Sequence, residues 1–383
     1  MNAAAFQDVA TAALAGAAVG DALGGAAEGN TPEAIQQRYG GTIEGIVGPF
    51  FEDWRHARPI APYHKGDGHV TDDTLMTNLL VDVYAHVRRH LTAHDIAEHL
   101  VPRMIGEVQW IQELEAEALP LHRVFLAEKW LVARLHYGHI DPREAGVGNV
   151  VNCGATMYVG PVGLVNAGDA QGAYAEAIDI AGAHQSSYGR EAAGVFAAAV
   201  AAAAAPGATI DGVLDAAIGL SRDGTRAAVE ATVAAGGRLD GWRDGGLAAL
   251  RDAVRPYDTV GETYRQPAMD ARLPNRTKSI EELPVALGLL AACDGDYREA
   301  VLGAVNYGRD SDSIAVMAGT IAGALGGPDA VPAEWIDAVG DASRLDLRAP
   351  GAVIADVAAA VWAADAERHA TRSRAVTALG LDR

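Results

Sequence analysis

Three acidic clusters in this sequence have residue types that could perform chemistry, and each is predicted at a junction between a loop and a helix. They are a first cluster, Gly20-Asp21-Ala22-Leu23-Gly24 followed by Glu28, a second cluster, Thr71-Asp72-Asp73-Thr74, and a third cluster, Gly308-Arg309-Asp310-Ser311-Asp312-Ser313. Helix capping alone would explain a single aspartate at such a place. Asp, Ser and Thr are preferred N-caps, and a carboxylate in the first turn favours the positive end of the helix dipole.

The second and third clusters hold more carboxylates than capping requires. Together they supply four adjacent or nearly adjacent aspartates, and like charges repel unless a cation lies between them. Thr71 and Ser313 add neutral oxygen atoms, and an all-oxygen ligand set suits Mg²⁺ or Mn²⁺ rather than zinc. Two such clusters brought together would form a two-metal site with a bridging aspartate. From the spacing alone, this site and independent capping both remain open.

The charge balance excludes two classes of binding partner. The 383 residues include 50 Asp or Glu and 30 Lys or Arg, which gives a net charge of −20. Nucleic-acid-binding proteins neutralise phosphates with clustered basic residues, and anionic membrane surfaces also attract basic proteins. We therefore expect no nucleic-acid partner and no membrane association.

Cysteine usage and the first residues of the sequence predict a cytoplasmic location. Cys153 and Cys293 cannot form a multi-disulfide framework, and no Cys-x-x-Cys pair occurs. The apolar first stretch has no Lys or Arg before it and contains Asp8, which is not typical of a signal peptide.

Hydrophobic periodicity is helical along nearly all of the sequence. Leu75, Leu79 and Val83 recur at helical spacing, and the alanine-rich run 192–205 predicts a buried helix ended by Pro206. Half of the residues are hydrophobic but only 6% are aromatic, so the core must use small side chains that allow helices to approach closely. These features predict an all-α protein.

No linker of the Ser/Gly type separates two halves of the chain. We therefore predict a single large domain over residues 1–345. Residues 346–383 are predicted to form a C-terminal helix and tail packed on the same domain, with a helix over Val353–Arg374.

The three clusters, in this order and at this separation, resemble the ADP-ribosylglycohydrolase family, which includes dinitrogenase-reductase-activating glycohydrolases and ADP-ribosylarginine hydrolases. Weaker elements lie between the clusters. Asn152-Cys-Gly-Ala-Thr-Met157 with Gly160-Pro161 resembles the Gly-rich substrate loop of the family, His184-Gln-Ser-Ser its histidine element, and the segment 279–286 the stretch before the last metal motif. The resemblance covers about residues 10–327.

The resemblance implies an orthogonal helical bundle with two bound Mg²⁺ ions, for which Mn²⁺ could substitute. The implied metal ligands are Thr71, Asp72, Asp73, Asp310, Asp312 and Ser313. Glu28 occupies the place of a family carboxylate beside the metals, so the implied catalytic set is Glu28, Asp72 and Asp73. The implied substrate-binding residues are Asn152, Gly154, Met157 and His184.

The implied reaction is hydrolysis of the glycosidic bond at the anomeric carbon of a ribose, which releases ADP-ribose from a protein or small-molecule acceptor. The family loop usually has Gly-Asn-Gly and then Met followed by Arg, whereas here Cys153 follows Asn152 and Tyr158 follows Met157. A ribosyl hydrolase of a NAD- or nucleoside-derived metabolite is therefore an alternative. A non-catalytic, crystallin-like relative is another, although the intact carboxylates favour an enzyme. The acceptor and the oligomeric state stay open.

Three residues keep two interpretations at this point. Glu28 is either a carboxylate beside the metals or an exposed glutamate at a helix end, because Gly29 and Asn30 follow it. His184 is either a buried core residue or a residue of the substrate site, which the resemblance favours. Cys153 could be a nucleophile, but no His-Asn arrangement accompanies it, so loop packing is the simpler interpretation.

Overall fold

A computed structural model describes residues 3–56, 64–258 and 280–381. Its α-helices are α1 (Ala3–Gly25), α2 (Pro32–Tyr39), α3 (Asp72–Val87), α4 (Ala93–Asp95), α5 (Val101–Gly106), α6 (Pro120–Arg123), α7 (Leu126–Val132), α8 (Gly160–Val165), α9 (Ala170–Ala181), α10 (Ser187–Ala203), α11 (Ile210–Leu220), α12 (Asp223–Gly236), α13 (Gly246–Val254), α14 (Glu282–Ala292), α15 (Tyr297–Tyr307), α16 (Ser311–Gly326), α17 (Ala333–Ser343) and α18 (Ala349–Ala378). The predicted all-α class is confirmed.

Short elements of other kinds join these helices. Single π-helical turns are Ile96–Leu100 and Ala133–Tyr137, and 3₁₀ turns are Pro142–Glu144, Thr156–Tyr158 and Gly327–Asp329. The strands β1 (Gln109–Ile111) and β2 (Ala116–Ala118) pair antiparallel, with Trp110 opposite Glu117. Sequence periodicity did not predict this hairpin, because three residues per strand are too few to show an alternating pattern.

Helices α1 and α16 lie at the centre of the bundle and pack backbone to backbone. A Cβ atom on Gly20 would lie 2.4 Å from the carbonyl oxygen of Ala315, and one on Gly24 would lie 2.5 Å from the Cα of Asp312. Only glycine permits this separation. The close approach, which the small-residue composition predicted, carries Asp21 to the N-terminal end of α16.

The alanine-rich helix α10 is buried, as predicted. It begins at Ser187, five residues before the expected start, and ends at Ala203, ahead of Pro206. The residues from Ala192 to Ala201 are all buried, including the large side chain of Phe196. The helix packs against α8, α9 and α11.

The last helix, α18, includes the predicted span Val353–Arg374 and extends beyond it at both ends. Its buried residues, which pack towards α1, α3 and α8, are Gly351, Ile354, Val357, Ala358 and Val361. By length and composition alone, α18 could span a membrane, and the bent pair formed by 311–329 and 333–343 passes the same test when joined. Mostly buried core helices pass the same test, whereas 28% of the apolar window of α18 is buried. The domain boundary at residue 345 stays a prediction.

Candidate metal centre

Asp21 on α1 caps the N-terminus of α3. Its Oδ2 accepts hydrogen bonds from the backbone N–H of Thr71 at 2.9 Å and of Thr74 at 3.1 Å, and from the Thr74 hydroxyl. The Thr71 hydroxyl accepts a further bond from the backbone N–H of Asp73 at 3.4 Å. These acceptors satisfy N–H groups that have no partner inside the helix. The side chains of Asp72 and Asp73 are therefore not required as caps.

The second and third clusters meet across α3 and α16. The Ser313 hydroxyl donates a hydrogen bond of 3.0 Å to Asp73 Oδ1, and the backbone N–H of Ser313 donates one of 3.0 Å to Asp312 Oδ1. Asp310 is the N-cap residue of α16, but its side chain makes no capping bond. The structure thus brings together the side chains that the sequence predicted as metal ligands, and their ligand role stays a prediction.

Glu28 lies at this cluster and is not an exposed helix-end residue. Its side chain is 11% exposed, and its Oε2 lies 2.8 Å from His64 Nε2. Ligand atoms of Glu28, His64 and Asp312 all lie within 4.8 Å of one another. The loop after Glu28 is held by paired backbone bonds, Gly29 N to Arg309 O at 2.6 Å and Arg309 N to Asn30 O at 2.8 Å.

The tautomer of His64 follows from its other ring contact. Nδ1 lies 2.9 Å from the carbonyl oxygen of Gly25, and a carbonyl oxygen can only accept, so Nδ1 carries a hydrogen. Nε2 then faces Glu28 Oε2 beside Asp312.

Burial makes the charge of this cluster unfavourable in the absence of a cation. Desolvation raises the pKa of Asp73 well above its ordinary value, and the carboxylates of Asp21 and Asp72 raise that pKa further. Desolvation likewise raises the pKa of Asp312 well above its ordinary value, and the carboxylate of Glu28 adds to this effect. An excess of buried oxygen donors with negative charge fits a divalent cation such as Mg²⁺. The donor set is therefore compatible with the metals that the resemblance implies.

A buried arginine, which the sequence analysis missed, binds one of the predicted ligands. Arg123 on α6 donates a bond of 2.7 Å to Asp72 Oδ1, and its Nε and Nη2 bind Glu113 at 2.7 and 2.9 Å. Burial raises the pKa of Glu113, although Arg123 opposes the shift. Residues 113 and 123 belong to no recognisable motif, so no sequence signal pointed to them.

The predicted substrate loop lies against the third cluster. Asn152 Oδ1 accepts bonds from the backbone N–H of Gly154 at 3.1 Å and from Gln185 Nε2 at 2.7 Å. These bonds hold the loop in a turn whose next residue, Cys153, places its Sγ 3.0 Å from Asp310 Oδ2.

Met157, at the end of this loop segment, and His184 are more deeply buried than Asn152. Met157 is buried, and His184 is fully buried, with Nδ1 3.1 Å from the Tyr158 hydroxyl and its ring stacked on that of Tyr158. His184 Nε2 lies 3.4 Å from Glu128 Oε1. The structure therefore places His184 in the core behind the loop, and the substrate-binding roles of these residues stay predictions.

The segment 279–286, predicted before the last metal motif, supports the third cluster from α14. Its first residue, Ser279, lies outside the described residues. Glu281 accepts a hydrogen bond of 2.7 Å from Arg309 Nε and one from the Tyr307 hydroxyl. Glu282 is buried beside Asp310. This segment therefore anchors the loop that leads into α16.

The fold and the site together define an all-α protein with a buried acidic centre that suits divalent cations. The family model of the ADP-ribosylglycohydrolases matches residues 2–371. The chain therefore belongs to the ADP-ribosylglycohydrolase family, a family of glycohydrolases.

A solved structure described as an ADP-ribosylglycohydrolase-related protein complex has the same fold. It is 19% identical in sequence, with a TM-score of 0.55, and the match covers 92% of this chain and 99% of that one. Comparison with curated protein sequences gives no significant match.

Proposed function

We propose that this protein is a Mg²⁺-dependent hydrolase that releases ADP-ribose from an ADP-ribosylated protein or small-molecule acceptor. The observation that carries the proposal is the 3.0 Å hydrogen bond between Ser313 and Asp73, which joins two carboxylate clusters of a glycohydrolase-family chain. Glu28 lies beside Asp312 in the same cluster.

Six side chains would hold two Mg²⁺ ions: Thr71, Asp72, Asp73, Asp310, Asp312 and Ser313. Bound there, the ions would orient the ribose hydroxyls, polarise the attacking water and offset the charge of a diphosphate. Arg123 donates a hydrogen bond to Asp72 Oδ1 and would thereby orient that carboxylate when it holds an ion.

Glu28 is the proposed proton acceptor for the attacking water. Its Oε2 contacts His64 Nε2 at 2.8 Å, and His64 is fixed in turn by the Gly25 carbonyl. A carboxylate positioned by an oriented imidazole can accept a proton and pass it on. His64 is thus a positioning residue for Glu28 in this proposal.

A second candidate reaction is hydrolysis of a simple riboside derived from NAD or a nucleoside. The observation that favours it is Tyr158, which stands where the family usually has an arginine after the loop methionine. Its hydroxyl points into the core towards His184, so this position offers no cation to a substrate diphosphate.

The test is a substrate panel with a matched variant. Purified protein in Mg²⁺ is incubated with arginine-, serine- and nucleotide-linked ADP-ribose and with simple ribosides, and free ADP-ribose or ribose is followed. We expect release from at least one ADP-ribosyl substrate, loss of release in excess chelator, and recovery with Mg²⁺ or Mn²⁺. Asp312→Asn should abolish release.

Two outcomes would change this assignment. Release from ribosides alone would replace the leading reaction with the second candidate. No release from any substrate above the chelator blank would contradict both reactions and favour a non-catalytic relative.

A further inference from the structure

The thiol of Cys153 lies in a setting that loop packing does not explain. The side chain is buried, and its Sγ donates hydrogen bonds to Asp310 Oδ2 at 3.0 Å and to Ser313 Oγ at 3.4 Å. A cysteine that only fills space contacts apolar neighbours. Here the sulfur faces the carboxylate of Asp310 and the hydroxyl of Ser313 in the third acidic cluster.

A second buried group points into the same space from α14. Glu282 is 6% exposed, and its Oε2 makes no hydrogen bond within the described part of the chain. Leaving such an oxygen buried without a donor is unfavourable, so a proton or a cation is expected to bind it.

The geometry of these three side chains suits one small cation. One ligand atom each from Cys153, Glu282 and Asp310 lies within 4.8 Å of the other two. Donors around a tetrahedral dication with metal–sulfur and metal–oxygen bonds of about 2.3 and 2.1 Å lie about 3.5 Å apart. Small side-chain rotations are therefore enough to bring the three donors to one ion.

We propose that Cys153, Glu282 and Asp310 form a cation subsite with a thiolate ligand, which binds a borderline transition-metal dication such as Co²⁺, Zn²⁺ or Fe²⁺. A soft sulfur donor beside two carboxylates favours these ions over Mg²⁺, which prefers oxygen alone. When the metal–sulfur bond forms, the thiol proton leaves to solvent.

The subsite differs from the all-oxygen set in its ligands and adjoins it through Asp310. It requires only the positions of three side chains and does not depend on the proposed reaction. Its test can therefore fail or succeed independently of the hydrolase assay.

Cobalt provides a direct readout of the sulfur ligand. Metal-free, reduced protein is titrated with Co²⁺ in the presence of excess Mg²⁺, and the near-ultraviolet thiolate-to-cobalt charge-transfer band is recorded. The chain has two cysteines, so Cys293→Ser leaves Cys153 as the sole thiol. We expect the band in the wild type and in Cys293→Ser, and its loss in Cys153→Ser and Cys153→Ala.

Glu282→Gln tests the second ligand with little change in shape. We expect this variant to bind Co²⁺ at least about tenfold more weakly, in line with losses on altering metal-site groups, while the band stays detectable at saturation. Unchanged affinity in Glu282→Gln would remove Glu282 from the subsite.

Absence of the band in the wild type and in Cys293→Ser would overturn the subsite even if Mg²⁺-dependent hydrolysis is observed. A normal band without hydrolysis of any substrate would support the subsite and contradict the proposed function.

Discussion

Glu28 and His64 are in contact at the edge of the acidic cluster, with Nε2 and Oε2 2.8 Å apart. Glu28 approaches Asp312 as well, so an imidazole and a second carboxylate both lie close to its side chain. In such a position the carboxylate can accept a proton from water when a neighbouring cation offsets the other charges.

Replacing Glu28 with glutamine removes this charge and preserves the size of the side chain. We expect the turnover number of Glu28→Gln to fall by about 10² to 10⁴, the usual contribution of positioned proton transfer. Steady-state kinetics on the best substrate of the panel measures it, with helical circular dichroism as the folding check. The exposed Glu230→Gln is the matched control, and a wild-type rate in Glu28→Gln would assign water activation to Asp72 or Asp73.

Arg123 compensates two buried carboxylates, Glu113 and Asp72. Removing one partner of a buried ion pair leaves an uncompensated charge, so Arg123→Met should lower the free energy of unfolding by about 3 to 5 kcal/mol. Urea denaturation of the metal-free protein measures this change.

The matched control is Arg226→Met, because Arg226 pairs with Glu230 on the surface of α12, where both side chains are about half exposed. Surface pairs contribute little, so we expect a change of less than about 1 kcal/mol. Equal effects of the two substitutions would mean that Arg123 does not compensate the buried acids.

At the scale of elements, the contact between α1 and α16 determines where the acidic side chains meet. The Gly20 face of α1 touches the Ala315 backbone of α16. Any widening of this contact moves Asp21 and Glu28 away from the third cluster. The small residues of this interface therefore determine the positions of the acidic side chains as well as the packing of the core.

Gly20→Ala tests the close contact between α1 and α16 against the higher helix propensity of alanine. Alanine favours a helix by about 1 kcal/mol over glycine, but its Cβ would lie 2.4 Å from the carbonyl oxygen of Ala315, and overpacking costs about 1 to 3 kcal/mol or more. The clash with rigid backbone outweighs the propensity, so we expect a lower melting temperature and weaker Mg²⁺ binding.

Gly219→Ala on α11 is the control, since a Cβ there meets nothing within 4 Å. The control should be as stable as the wild type or more so. A stabilised Gly20→Ala would contradict the close approach of the two helices.

For the whole molecule, the buried carboxylates link stability to pH and to metal. Burial raises the pKa of Asp21, Asp73 and Asp312 in the folded protein, whereas the same groups ionise near pH 4 when unfolded. Above pH 4 the folded state therefore holds more protons than the unfolded state. These groups therefore contribute all of their stabilisation of the folded protein below pH 4. This contribution is lost as the pH rises through their pKa values in the folded protein.

As the pH rises above 4, we expect the free energy of unfolding of the metal-free wild type to decrease more than that of metal-free Asp73→Asn, because the variant lacks one of the buried acids. Saturating Mg²⁺ should raise the melting temperature of the wild type at neutral pH, since binding to the folded state alone stabilises it. Denaturation of both proteins across pH, with and without Mg²⁺, measures the two effects. An unchanged melting temperature across the Mg²⁺ titration would argue against the two clusters forming one cation site.

The sequence by itself determined the helical class and placed the second and third clusters where helices begin, whereas the Gly20–Gly24 part of the first cluster lies inside α1 and not at a junction between a loop and a helix. Thr71 caps α3 and Asp310 precedes α16, and both features depend on local sequence, because capping and helical periodicity act within a few residues. The low aromatic content also predicted the close helix contacts. The family resemblance depended on the same short segments.

Only the tertiary structure decided which side chains surround those clusters. Asp21 binds the N-cap residue Thr71 of a helix 50 residues further along the chain, and Arg123 reaches Asp72 from 51 residues away. Cys153 and Asp310 touch across 157 residues. No local pattern encodes such pairings, because they arise when packing of the hydrophobic faces places distant segments side by side. The apolar face of each helix can be predicted from the sequence, but the helix against which it packs cannot.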